Sequence, residues 1–249
     1  MGKKVEKVSI IMPMYNEPRI KENLKEVIIT LDKIIRKDLK MEYEIILVDD
    51  GSNDNSRKKA EEIKNKRLII TGYKNNIGKG NALKYGFGKV DKNSEYIAFM
   101  DSGMELHPEQ LKRFIEKITE TKADVVIGSK RMKGAIVHYP LTRRIMSMIY
   151  QLMVKILFGL KVKDTQVGMK LFKKEVLDKV FPKIIVKRYA FDIELLVNAN
   201  KEGKRIIEIP IRLDYKFDTR IGIKPIKDMI IDTLAIFYRL RIIKYYDRK

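Results

Sequence analysis

Apolar residues recur along the chain in two alternating rhythms. Short runs rich in β-branched residues stand at 8–13 (VSIIMP), 44–49 (EIILVD), 67–71 (RLIIT), 96–101 (YIAFMD) and 123–129 (ADVVIGS). They have strand length, and the segments between them, 17–37, 53–65, 79–89 and 108–120, repeat their apolar positions at helical spacing. This alternation predicts an α/β fold, a mostly parallel central sheet with helices on both faces. In such a sheet ligands gather at the carboxyl ends of the strands. Four of those ends are polar here: MYNE after the first run, DDGSNDNS after the second, DSGME after the fourth and GSKR after the fifth.

Two further helical segments are patterned differently. In 141–157 (LTRRIMSMIYQLMVKIL), Ile145, Met148 or Ile149, Leu152 and Ile156 recur at helical spacing, while Arg144, Ser147, Gln151 and Lys155 form a polar stripe. The tail, 224–249, repeats the theme and ends in Arg239, Arg241, Lys244, Arg248 and Lys249. Neither reaches the ~18 uninterrupted apolar residues of a spanning helix. The pattern predicts interfacial helices that lie on a membrane surface, with ordinary core packing of the same stripes as the competing reading.

At 249 residues the chain can bury a substantial core, and no Ser/Pro/Gly-rich linker or repeat divides it. Residues 1–223 therefore read as one domain and 224–249 as its amphipathic tail. Zero cysteine excludes a disulfide scaffold and a Cys-ligated zinc, and His107 and His138 are too few for a His-rich site. Any metal would need mainly oxygen ligands. The N-terminus, MGKKVEKVSIIMP, passes from a short basic lead into a strand without the apolar stretch of a signal peptide, so a cytoplasmic location is expected.

A net charge of +20 admits nucleic acid, an anionic membrane or phosphorylated substrates as partners. Its distribution discriminates among them. From Val125 to Lys163 there is no Asp or Glu but there are eight Lys or Arg, and this run coincides with the first amphipathic helix. A Lys-rich solvated face, common in proteins from hot environments, would give the same count. No zinc-finger spacing, RRM-like aromatic motif or tryptophan supports a nucleic-acid partner.

Each polar strand end also has a plain structural reading. Asn16 can cap the helix that starts near Glu17, Gly51-Ser52-Asn53-Asp54 can be a turn, and 75–86 can be a glycine turn that opens a helix with Lys79 as a solvated charge. Together on one edge of one sheet, however, such ends collect helix N-termini and backbone donors suited to phosphate.

The motifs IIMPMYNE (10–17), VDDGSNDNS (48–56), NNIGKGNAL (75–83), FMDSGMELHPEQL (99–111), IGSKR (127–131), DTQVGMKLF (164–172) and YAFDIELL (189–196) carry a resemblance. In order, and over about the whole chain, they resemble inverting glycosyltransferases of family 2, which have the GT-A nucleotide-diphospho-sugar transferase fold. The closest likeness is to the enzymes that load a hexose onto dolichyl or other polyprenyl phosphate. DTQVGMKLF with FDIELL resembles the dolichyl-phosphate glucose and mannose synthases in particular.

The resemblance implies a nucleotide sugar, UDP-glucose or GDP-mannose, as donor and a polyprenyl or dolichyl phosphate as acceptor. Pro13, Tyr15, Glu17, Asp49 and Asp50 would line the nucleoside pocket, with Lys79 near it. Asp101 would act in catalysis, and Asp192 could face the sugar while Glu194 makes a structural bond. Lys130 and Arg131, with Arg220 and Lys224, are the candidate cations for the acceptor phosphate. The family's Asp-x-Asp keeps its first place in Asp101, loses the second to Gly103, and has Glu105 where a polar ligand usually follows. A weakened Mg²⁺ or Mn²⁺ site on Asp101 and Glu105 is the expectation, since Mg²⁺ commonly uses few protein ligands. The alternatives are a degenerate protein that binds nucleotide sugar or membrane without turnover, and a family 2 transferase with a glycan or soluble acceptor.

Overall fold

The structure, a computed structural model, describes residues 6–137, 141–213 and 223–247, without the side chains of 141–143 and 223–225. Five strands run where the apolar runs predict them: β1 (Lys7–Met14), β2 (Glu42–Asp50), β3 (Leu68–Tyr73), β4 (Tyr96–Phe99) and β5 (Val125–Ser129). After the short β6 (Ile136–Val137) come β7 (Lys170–Lys173), β8 (Ile206–Pro210) and β9 (Arg212–Leu213). The main sheet has seven strands in the order β3-β2-β1-β4-β7-β5-β8. All neighbours pair in parallel except β7, which lies antiparallel between β4 and β5.

That insertion is the main addition to the predicted sheet. β7 places Leu171 opposite both Ala98 and Val126, so two parallel halves join through a strand only four residues long. A run that short has too little pattern to mark itself.

Helices cover both faces. On one side α1 (Ile20–Leu31), α2 (Ser56–Glu61) and α4 (Leu111–Thr121) bury Leu24, Val27, Ala60, Phe114 and Ile118 against Ile10 and Met12 of β1. On the other, α3 (Lys79–Phe87), α5 (Leu141–Phe158), α6 (Lys174–Val180), α7 (Phe191–Lys201) and α8 (Ile223–Phe237) pack Leu83, Val154, Leu177, Leu196 and Ile236 against Ile11 and Ile46. The opposite pointing of Ile10 and Ile11 is the two-residue alternation of a strand buried on both faces. The first predicted helix is longer than α1 because the chain continues beyond Leu31 as π-helical turns, Asp32–Asp38.

The tail packs back onto this second layer. Ile236 and Tyr246 are fully buried, and Tyr150 of α5 shares a 2.7 Å hydrogen bond with Thr233 of α8. The outer faces of both helices are apolar. On α5 the exposed residues include Ile145, Met148, Ile149 (60% exposed), Leu152 (58%) and Ile156 (73%). The predicted stripe thus points outward, while Gln151 of the predicted polar stripe is buried against Thr165, 2.9 Å away. On α8 and the turns after it, Ile230, Ile231, Leu234, Tyr238 and Ile242 are exposed. Among the described residues no helix is long and apolar enough to cross a membrane.

Candidate active site

A cavity of about 310 Å³ opens where several strand ends converge. Pro13, Met14 and Tyr15 reach it from β1, Asp50 from β2, Asn76, Gly78 and Lys79 from the turn after β3, and Asp101, Ser102 and Gly103 from the end of β4. Arg188 and Tyr189 close it from the loop before α7. Five of the predicted donor-site residues, Pro13, Tyr15, Asp50, Lys79 and Asp101, are therefore brought together. Tyr15 and Tyr189, each about half exposed, offer ring faces suited to a flat base.

Two of the acids have work inside the protein. Buried Asp50 accepts from the Tyr73 hydroxyl (2.7 Å), Asn76 Nδ2 (3.0 Å) and the backbone N–H groups of Ile77 (3.0 Å) and Gly78 (3.0 Å). It shapes the turn that leads into α3. Asp49 accepts from the Ser52 N–H at 3.0 Å, faces Arg57 at 3.7 Å and is absent from the cavity lining. Of the acids expected to line the nucleoside pocket, Asp50 is in the cavity lining and is engaged by four donors. Asn16 is no helix cap either: its N–H donates to Ser52 and its side chain accepts from the Asn53 N–H, both at 3.0 Å, which ties the first two strand ends together.

At the centre, Lys79 Nζ stands 2.5 Å from Asp101 Oδ1, each side chain about one-third exposed. Burial opposes the charge on Lys79, but Asp101 and then Asp192, with Glu105 further down, outweigh it and hold the ammonium above the ordinary lysine value. Gly168 makes room for this pair. A Cβ there would lie 1.9 Å from Asp101 Oδ2, so any other residue would push the Asp101 carboxylate from this place.

Asp192 is 7% exposed and lies outside the cavity lining, where Lys170 Nζ binds it at 2.7 Å. The residue expected to face the sugar is here paired with a buried lysine. Lys170, 1% exposed, also donates to the Val167 carbonyl. Burial pushes its ammonium below the usual lysine range and Lys79 adds to that, while Asp192 opposes them. Sequence reasoning missed Lys170 because nothing in VGMKLF marks a lysine that points inward. It also missed Arg188, whose only signal was its place just before YAFDIELL.

Two of the four candidate acceptor cations, Lys130 and Arg131, have described side chains. Lys130 is bound by buried Asp164 at 2.9 Å, and Arg131 Nη2 donates to Ser147 Oγ of α5 at 2.9 Å. Neither lines the cavity. Arg220 and the side chain of Lys224 lie outside the described residues.

Glu17 and Glu105 are not among the lining residues either. Glu17 Oε1 accepts from the Arg19 N–H at 3.4 Å, and its Oε2 is 3.3 Å from where a Cβ on Gly103 would stand. Among the described residues no group of three or more Asp, Glu, His or Cys comes together to hold a metal. Asp101 and Glu105 both act on the same ammonium, so as a donor set they fit a divalent ion only in part, one that takes most of its oxygens from a bound diphosphate and water.

Comparison with known proteins agrees with this architecture. Residues 9–181 match the model of the family described as Glycosyl transferase family 2. A dolichyl-phosphate beta-glucosyltransferase of Dictyostelium discoideum is 31% identical over 82% of this chain and 65% of its own length. The dolichyl-phosphate beta-glucosyltransferase ALG5D of Trichomonas vaginalis is 30% identical over 97% of this chain and 77% of its own. The chain thus spans about two-thirds to three-quarters of these curated relatives. Glucosyl-3-phosphoglycerate synthase from Mycobacterium tuberculosis, solved with Mn²⁺, UDP-glucose and glycerol 3-phosphate, superposes with a TM-score of 0.66 at 15% identity, covering 94% of this chain and 79% of that one. S. aureus TarS 1–349 with UDP-GlcNAc gives 0.60 at 20% identity, covering 93% of this chain and 65% of that one. With its GT-A sheet and its family match over most of its length, the chain belongs to glycosyltransferase family 2.

Proposed function

We propose that this chain moves a hexose, glucose in preference to mannose, from UDP-glucose or GDP-mannose to a polyprenyl or dolichyl phosphate, with inversion, at the cytoplasmic face of a membrane. The observation that carries the reading is the outward apolar stripe of α5 and α8 on the same molecule as a strand-end cavity built around Lys79 and Asp101. Both curated relatives named above are dolichyl-phosphate glucosyltransferases, which favours glucose and a lipid phosphate.

In this reading Tyr15 and Tyr189 embrace the base, and Lys79 and Arg188 meet the diphosphate. The acceptor phosphate oxygen attacks the anomeric carbon from the face opposite the diphosphate. A new C–O bond forms as the bond to the diphosphate oxygen breaks, and the nucleoside diphosphate departs with that electron pair. A phosphate monoester is already anionic at neutral pH, so no side chain has to remove a proton. Positive charge fixed near the leaving oxygens lowers the barrier because it acts where charge develops. Mg²⁺ or Mn²⁺, held by Asp101 and Glu105, would add Lewis-acid charge at the same oxygens. Asp192, held by Lys170, supports the charge on Lys79 without touching substrate. The single GT-A domain, 1–223, would carry the donor and 224–249 would dock the lipid surface.

The test is transfer of labelled hexose from UDP-glucose and from GDP-mannose into the lipid phase with polyprenyl phosphate present. Transfer is expected with UDP-glucose, and its loss in Asp101→Ala. Nucleotide binding without transfer from either donor would instead identify a degenerate binding protein.

A further inference from the structure

The lining of the donor cavity sets two cations, Lys79 and Arg188, beside two carboxylates, Asp50 and Asp101, and Asp50 is engaged by the turn that it holds. At position 103 there is no side chain to ligate an ion, and Glu17 Oε2 stands beside the space that one would enter. Asp101, the remaining acid of the Asp-x-Asp pattern, already has a cation 2.5 Å away in Lys79. The buried Lys170–Asp192 ion pair, at 2.7 Å, lies outside the cavity lining.

Arg188 is the second cation of the lining, and it is exposed. Its loop and the Lys79 turn are packed in direct contact. Gly78, at φ +123°, lies so close that a Cβ would stand 2.6 Å from the Lys187 carbonyl and 2.7 Å from Arg188 Cγ. The Asn81 N–H donates to the same carbonyl at 3.1 Å. The two cations are therefore held on backbones fixed to one another, which lowers the entropy lost when both engage one ligand. Lys79 also opens α3, so its backbone end adds the partial positive charge of a helix N-terminus. An ammonium and a guanidinium that line one cavity suit a diphosphate, with the planar guanidinium able to bind two oxygens at once.

We propose that Lys79 and Arg188 are the primary counter-charges for the diphosphate of the donor, so that a nucleoside diphosphate binds this chain without a divalent ion. Lys79 exchanges Asp101 for a phosphate oxygen when the donor enters. Any metal then adds to a site that already holds its ligand. This rests on the donor reading of the cavity given above.

The experiment is calorimetric titration of the full chain with UDP and with GDP, in EDTA and in Mn²⁺. Wild type is expected to bind one of them with Kd values that differ by less than ~3-fold between the two conditions. Lys79→Met and Arg188→Met should each weaken binding in EDTA by ~10-fold or more, the scale of a lost charge-assisted contact. Lys79→Arg should retain it, and circular dichroism melts exclude unfolding as the cause. In the double variant Lys79→Met/Gly103→Asp, binding should return only with Mn²⁺. Wild-type binding that falls more than ~10-fold in EDTA, or unchanged binding in Lys79→Met, would overturn the proposal while leaving hexose transfer intact. Metal-independent binding without hexose transfer to polyprenyl phosphate would reject the transferase reading and keep the charge assignment. Absence of any nucleotide binding in either condition would overturn both.

Discussion

Gly168 shows how much of the site depends on a missing side chain. Its bare Cα lets Asp101 keep the rotamer that meets Lys79, because any Cβ would overlap Oδ2 at 1.9 Å and crowd Cγ at 2.7 Å. Gly168→Ala should therefore drive the carboxylate off its position at a strain of about 1 kcal/mol, small against the stability of the whole fold. The expected result is a melting temperature within a few degrees of wild type and turnover down by ~10-fold or more. Undiminished turnover would show that the place of the Asp101 carboxylate is unimportant. Asp50 makes a related point. Its carboxylate is spent on the turn that carries Gly78 and Lys79, so it shapes the cavity through the backbone that it holds.

Between elements, Glu194 of α7 joins the tail to the wall of the cavity. It is fully buried and accepts from the Ile185 N–H (2.9 Å), the Val186 N–H (2.7 Å), Arg239 Nη2 (3.2 Å) and the Tyr246 hydroxyl. The structural bond expected of this residue is a four-donor hub. One side of it is the loop that leads to Arg188 and Tyr189, and the other is the segment after α8. Removing one partner of a buried charged pair leaves the other uncompensated, at about 3–5 kcal/mol. Glu194→Ala should lose stability on that scale in urea titration and open the 185–190 loop to trypsin at Lys187 and Arg188. A loss under ~1 kcal/mol with unchanged cleavage would mean the hub holds neither side.

For the molecule as a whole, the net charge of +20 and the outward apolar faces of α5 and α8 belong to one surface argument. Ordinary core packing would have turned Ile149, Leu152 and Ile156 inward, yet each is more than half exposed. Apolar faces rimmed by cations bind anionic lipid, with about 1 kcal/mol from each Lys or Arg near the surface. The chain should sediment with vesicles that contain phosphatidylglycerol and detach as salt rises toward 0.5 M, where the screening length becomes short. Ile149→Glu/Leu152→Glu should abolish the association. A wild-type chain that stays in the supernatant at low salt would refute the docking surface.

How much was legible in advance differs with the range of the interaction concerned. The five strands, the helices between them, the polar strand ends and the spacing of the α5 stripe follow from local periodicity, which a single chain records directly. The direction in which that stripe faces does not, because the same spacing suits a core or a lipid surface until neighbours occupy one side. Nor does the antiparallel β7, whose pairing with β4 and β5 joins residues about 40 to 75 positions apart through four residues with little pattern. Which acids are free is likewise a tertiary matter. Asp50, Asp101 and Asp192 look alike along the chain, but Asp50 is claimed by a turn more than twenty residues on, Asp192 by the buried Lys170 of β7 and Asp101 by Lys79 in the cavity. Residue type determines what chemistry a position can offer, while the long-range partners brought by folding decide whether that chemistry is still available.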